Sequence, residues 1–166
     1  MIPMVLKKTV QDILNKQINE ELYSAYLYLA MSAYFESENL PGFAHWMRVQ
    51  AKEETTHALK IFDHIHERGG TVELASLKQP PKEWKDPLDA IKGAYAHEVY
   101  ITQKIHELTD LAASQKDPAT HIFLHWFVQE QVEEEKNADA LVQKLSRISG
   151  APAALVMMDH ELSQRK

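Results

Sequence analysis

Between two stretches of sustained helical periodicity lies a segment, Thr71 to Lys85, that has none and carries the pair Pro80-Pro81. A structureless stretch of that length inside a compact chain is uncommon, and its reach restricts the topology. The helix before it, Pro41 to Arg68, spans about 42 Å at ~1.5 Å per residue, whereas the extended segment covers about 50 Å. It can therefore travel back along the whole preceding helix, so that the next helix runs parallel to the one before. The other breaks are short. Ser37-Glu38-Asn39, Gly69-Gly70 and Gly150 are stop signals, while Pro41, Asp86-Pro87 and Asp117-Pro118 are start signals with proline in the first turn. We expect helices over about 5–35, 41–68, 86–115, 117–148 and a short 152–163, with 1–166 forming one domain. Two antiparallel hairpins joined by one long crossover make an all-α four-helix bundle that is not a simple up-down-up-down one.

Composition removes several chemistries. A chain of 166 residues can bury roughly 70% of its unfolded surface, enough for a core without disulfides. With no cysteine, thiolate-ligated zinc, iron-sulfur clusters and thiol nucleophiles are excluded. Acidic residues outnumber basic ones 24 to 18, and no basic face or arm stands out, which argues against nucleic acid and favours a cationic ligand. No apolar run approaches the ~20 residues that span a bilayer. Met1-Ile2-Pro3-Met4 lacks the basic and apolar regions of a signal peptide, so a soluble cytoplasmic protein is expected.

The inward stripes of the helices contain a repeated anomaly. Read at heptad spacing they are Leu14, Glu21, Tyr28; Met47, Glu54, Ile61; Ile91, Glu98, Ile105; and Phe127, Glu134, Leu141. Gln50 and His57 accompany the second, and Leu124, Gln131, Ala138 and Leu145 the fourth. One such glutamate would pass as a surface residue on a misplaced stripe. Four of them, each near the midpoint of its helix, converge on one level of an antiparallel bundle. Buried together they cost several kcal/mol each unless some are protonated or cations lie among them. Carboxylate oxygens with an occasional imidazole suit hard or borderline cations. Glu54-Thr55-Thr56-His57 puts a carboxylate and an imidazole on one face of one helix. Di-iron carboxylate bundles take one glutamate from each of two helices and Glu-x-x-His from the other two. Here the last long helix departs from that pattern, with Gln131-Val132-Glu133-Glu134 and no histidine.

The segments Asn19-Glu20-Glu21-Leu22-Tyr23-Ser24, Glu53-Glu54-Thr55-Thr56-His57, His97-Glu98 and Glu130-Gln131-Val132-Glu133-Glu134-Glu135 resemble those of prokaryotic non-haem ferritins over essentially the whole chain. The resemblance implies a ferritin-like bundle with a short fifth helix. It also implies one iron on Glu21, Glu54 and His57, and a second on bridging Glu54, Glu98 and Glu134, with Gln131 close by. It further implies a third, more weakly held iron on Glu53, Glu130 and Glu133, and a tyrosine, Tyr28, beside the centre. The activity so implied is ferroxidase: Fe(II) is oxidised by O2 or H2O2, and Fe(III) is stored as a mineral inside a homo-oligomeric, 24-subunit cage. An imidazole-poor second position should hold its metal loosely, which suits iron in transit.

Relatives separate by what the sequence lacks. A haem-binding ferritin would carry a second histidine on the fourth helix and a methionine where Thr55 stands, so no haem is expected. Peroxidases with a cysteine-ligated iron module are excluded, and DNA-protecting mini-ferritins build their site between subunits. His45, His64, His66, His106 and His160 have no partner pattern and read as surface or satisfied core residues, and His97 reads as flanking the site or an interface. His121 and His125 share a face that reads as solvated, and Tyr23, Tyr26, Phe123, Trp126 and Phe127 read as core or subunit contacts. Ala153 to Met158 is too short and apolar to stand alone, which suggests packing on neighbouring subunits. Two other readings compete: a di-iron oxygenase or peroxidase with a separate substrate, and a helical interaction module whose buried glutamates are accidental.

Overall fold

The computed structural model describes residues 5–166; the segment Met1-Ile2-Pro3-Met4, on which the signal-peptide reading fell, lies outside them. The chain folds as α1 (Lys8–Ser37), α2 (Pro41–Glu67), α3 (Pro87–Ser114), α4 (Pro118–Arg147) and α5 (Pro152–Leu162). The starts of α3 and α4 follow from their caps: the Asp86 carboxylate accepts from Asp89 N at 2.8 Å and that of Asp117 from Thr120 N at 3.1 Å. Helix α1 begins later than periodicity suggested because Lys7 is extended and Leu6 donates its amide to Arg68 O at 3.1 Å, against the end of α2. Asn39, Gly69 and Gly150 all take positive φ in the breaks between elements. Lys116 does so too, at φ 55°, a position sequence would have given to glycine or asparagine.

Helix directions can be read from cross-contacts. Ser32 Oγ donates to Ala44 O at 2.8 Å, and at the other end Thr71 N donates to Gln11 Oε1 at 3.0 Å, so α1 and α2 are antiparallel. Tyr28 pairs with Glu98 and Glu20 with Tyr100, so α3 also runs against α1. Helices α2 and α3 are therefore parallel, as the reach of the crossover allowed. Thr102 bonds Glu135 and His121 approaches Thr109 O, closing α3 and α4 as the second hairpin. The crossover runs as a strap along α1: Thr71 and Glu73 bond Asn15, Lys78 lies over the Tyr23 ring, and Trp84 meets Tyr34 edge to face.

The apolar interior is divided in two. One cluster, around Phe35, Phe43, Met47, Ile91 and Leu145, fills the end that α5 covers with Met158 and Leu162. The other, around Leu14, Ile18, Ile61, Ile105 and Phe127, fills the opposite end. Between them lies a layer of buried polar side chains.

Helix α5 seats on the first turn of α2, where Phe43 N donates to Asp159 Oδ1 at 2.9 Å. Gly42 is required there: a Cβ at this position would fall 1.6 Å from Asp159 O, which is backbone and cannot swing away. Gly42→Ala is expected to destabilise the fold by about 1–3 kcal/mol and to undock α5. Urea denaturation measures the first effect and proteolytic release of α5 the second; unchanged behaviour in both would refute the close approach. Val156 and Met157, on the opposite side of α5, are 66% and 73% exposed. No helix among the described residues is long and apolar enough to cross a membrane.

Candidate metal centre

Every residue of the four inward stripes is buried, so the polar layer is the row of helix midpoints expected from spacing. Helix α1 contributes Glu21, α2 Glu54 and His57, α3 Glu98, and α4 Glu134, none more than 4% exposed. One turn apart on α2, His57 Nδ1 lies 3.1 Å from Glu54 Oε2. Ligand atoms of Glu21, Glu54 and His57 lie within 4.8 Å of one another, as do those of Glu54, Glu98 and Glu134. These two groups share Glu54. A third, overlapping group joins His57, Glu130 and Glu134.

Amide and phenol side chains hold the carboxylates in place. Gln17 donates to Glu21 Oε1 at 3.0 Å, and Gln50 donates to both Glu54 and Glu134 at 2.9 and 2.8 Å. Gln131 donates to Glu98 Oε2 at 3.1 Å, and the Tyr28 hydroxyl donates to Glu98 Oε1. The His57 ring is wedged edge-on by Trp126 and Phe127 at 5.3 and 6.1 Å. One oxygen is left over: Glu21 Oε2 is buried without a hydrogen-bond partner. An unpartnered buried carboxylate oxygen facing an imidazole and a second carboxylate is what a cation site leaves when only protein atoms are counted.

The electrostatics follow from four carboxylates in a buried layer. Burial, reinforced by the charge of Glu21, pushes Glu54 up to about 7, although His57 pulls the other way. Burial and the charge of Glu54 push Glu98 up to about 8; burial and the charge of Glu98 push Glu134 up to about 9. Burial alone would lower His57, but the Glu21 and Glu54 carboxylates outweigh it and raise it to about 11. At 3.8 Å the Glu21 oxygen is beyond hydrogen-bonding distance of His57, so we ascribe its share to charge. Burial and the Glu98 charge likewise raise Tyr28, and burial raises Glu130. Cations entering this layer would replace protons, so binding and deprotonation are linked.

The residues matched by resemblance to a third position are arranged differently from one another. Glu130 approaches His57 Nε2 to 3.9 Å, Glu133 is exposed, and the Glu53 carboxylate pairs with Arg165 at 3.0 Å. None of the three ligand groups contains Glu53 or Glu133. Among the histidines set aside, His97 Nε2 lies 2.7 Å from Ser24 Oγ, and burial plus the charge of Lys78 lower it to about 4. His64 stacks on Phe123, and the rings of His121 and His125 lie 5.0 Å apart at the start of α4. Sequence reasoning gave no role to Gln17, although Gln17-Glu21 and Gln50-Glu54 repeat the same glutamine-to-glutamate step of one helical turn. It also missed Arg165, for which no local signal exists.

Comparison with known proteins agrees with this fold. Residues 11–148 match the family model of the ferritin-like domain. A bacterial non-heme ferritin of Bacteroides fragilis is 40% identical over 161 residues, covering 97% of this chain and all of the relative. One from Staphylococcus epidermidis is 39% identical, covering 97% of both chains. Among solved structures, an open-pore ferritin of the hyperthermophilic archaeon Archaeoglobus fulgidus superposes with a TM-score of 0.96 at 50% identity, over 97% of this chain and 99% of its own. A closed form of that protein made by site-directed mutagenesis gives the same TM-score at 51% identity. Matching the ferritin-like family model over residues 11–148 and such relatives over nearly its full length, with four long helices, a parallel crossover and a short fifth helix, this chain belongs to the ferritin family.

Proposed function

We propose that, within the iron-storage role that ferritin membership supports, this chain is a ferroxidase that takes up Fe(II) at Glu21, Glu54, His57, Glu98 and Glu134 and stores Fe(III) inside a cytoplasmic cage. The observation that carries this reading is the sharing of Glu54 between two adjacent ligand groups, which would set two substrate ions side by side. Two Fe(II) supply two electrons, enough to reduce one O2, with two protons, to H2O2; H2O2 itself is the alternative oxidant. The protons held on Glu98 and Glu134 leave as iron arrives. Gln50 and Gln131 keep the carboxylates aligned, while Tyr28 lies at bonding distance from Glu98 as a neighbouring redox-capable side chain.

Release is served by the asymmetry of the layer. Glu21 and Glu98 are sealed, whereas Glu130 and Glu133 on α4 and Glu53 on α2 reach a wetter flank. Iron passing from the paired positions to that flank would find carboxylates without the burial that holds it at the centre. The exposed Val156 and Met157 support association of copies, and a 24-subunit shell is the assembly we propose.

Electron microscopy of iron-loaded protein, with size-exclusion chromatography, tests the proposal. A dense core within a hollow particle, and many more than two irons per chain, is the expected result. A small oligomer retaining two irons per chain would favour an oxygenase or peroxidase, and failure to bind iron a helical module.

A further inference from the structure

The residues after α5 fold back onto the flank of the metal centre and bring a cation with them. Arg165 Nη2 donates to Gln50 Oε1 at 2.9 Å and to Glu53 Oε2 at 3.0 Å, and Nη1 donates to Trp46 O at 3.2 Å. The guanidinium lies over the Trp46 ring at 4.2 Å, and the Arg165 carbonyl oxygen sits 2.6 Å from His45 Nε2. Its side chain is only 19% exposed. All of these partners belong to α2.

Two consequences follow. The Gln50 amide has one oxygen and one NH2, and with the oxygen occupied by Arg165 the NH2 is turned toward Glu54 and Glu134, to which it donates. Second, Glu53 is the one carboxylate among the ten candidate site residues that is paired with an arginine or lysine. A divalent ion drawn to Glu53 meets a positive charge already in place, anchored on three further groups of the same helix.

We propose that Arg165 is the counter-ion that iron must displace from Glu53, making it the positioning residue that keeps this third, outlying iron position weak. The inference rests on the preceding proposal, in which Glu53 receives iron in transit. Exchange of guanidinium for iron leaves Glu53 neutralised in both states. Return of the guanidinium competes with the departing ion, so residence at this position stays short. Arg165 thereby favours onward passage of iron, and it reaches the paired positions only indirectly, through Gln50.

Calorimetric titration with Zn(II), which cannot be oxidised, separates binding from catalysis. The full chain should show two tighter binding events and one weak event. In Arg165→Gln the weak event should tighten roughly two- to fivefold, the range expected for loss of a partly exposed ion pair, while the tighter events change by less. Arg165→Lys, which restores the charge, should return the weak event to its original strength, a reversal that loss of packing alone would not produce. Glu53→Gln should abolish the weak event, alone or combined with Arg165→Gln. An unchanged or weakened third event in Arg165→Gln, a lysine variant behaving like the glutamine one, or no third event in the original chain would overturn the role of Arg165 while leaving the paired centre standing. Absence of the two tighter events would overturn the metal-centre reading and this inference with it.

Discussion

Replacing Glu54 by alanine is expected to abolish the fast phase of Fe(II) oxidation, slowing it at least about 100-fold. Glu54 is the residue common to the two adjacent ligand groups, so its loss leaves Glu21 with His57 on one side and Glu98 with Glu134 on the other. Each pair is one donor short, and nothing holds the two ions next to each other for joint electron delivery to one oxidant. His57 also loses the carboxylate 3.1 Å from its Nδ1. The fold should survive, because burying the Glu54 carboxyl is itself unfavourable, as its upward shift to about 7 records. Stopped-flow absorbance after mixing Fe(II)-loaded protein with oxygenated buffer measures the effect, with Glu107→Ala on the exposed surface of α3 as control. A fast phase that persists in Glu54→Ala would place the oxidation elsewhere.

Metal-free protein should lose thermal stability as pH rises, and loading with a divalent cation should remove that dependence. Glu54, Glu98 and Glu134 hold their protons in the fold up to about 7, 8 and 9, whereas an unfolded glutamate releases its proton near 4.5. Between those limits the folded state binds more protons than the unfolded one. Their contribution is fully present below the unfolded value and is lost as pH rises through the folded values. His57 acts in the same sense, from its ordinary 6.5 up to about 11. Bound cations require the deprotonated forms, so their stabilisation grows over the same window. At a free concentration of ~1,000 times Kd, mass action adds about 4 kcal/mol, which for a chain of this size raises the midpoint by about 10 °C. Calorimetry at pH 5, 7 and 9, with chelator or with Zn(II), would detect both trends. A metal-free midpoint that climbs toward pH 9, or a loaded midpoint equal to it, would contradict a buried carboxylate layer that exchanges protons for cations.

The parts of this molecule legible in its sequence were those governed by local periodicity. A helix commits every third or fourth residue to the same face, so glutamates standing where leucine belonged were visible as an inward set before any contact was known. The length of the crossover was equally informative, since its reach allowed α2 and α3 to run parallel. Its path was not legible: that Lys78 meets Tyr23 and Trp84 meets Tyr34 depends on how the strap settles on α1, which no local pattern encodes. Gln17 and Gln50 each stand one turn before a site glutamate, but glutamine is so common on helix surfaces that the repeat alone carries little signal. Arg165 was out of reach altogether, because its partner Glu53 is 112 residues away and meets it only through the docking of α5. The start of α1 at Lys8 was hidden for a similar reason, being fixed by a bond from Leu6 to the far end of α2.

The division of the interior into two apolar clusters makes the centre a deliberate interruption. Filling the four glutamate positions with leucine or methionine would join the clusters into one continuous core, a change that in other proteins is neutral or favourable by about 1–4 kcal/mol. The carboxylate layer therefore contributes less to the stability of the metal-free chain than a continuous apolar core would be expected to. Cations that neutralise the four carboxylates would lower the cost of keeping this layer buried, so on the proposed reading the supply of cargo tunes the stability of the fold.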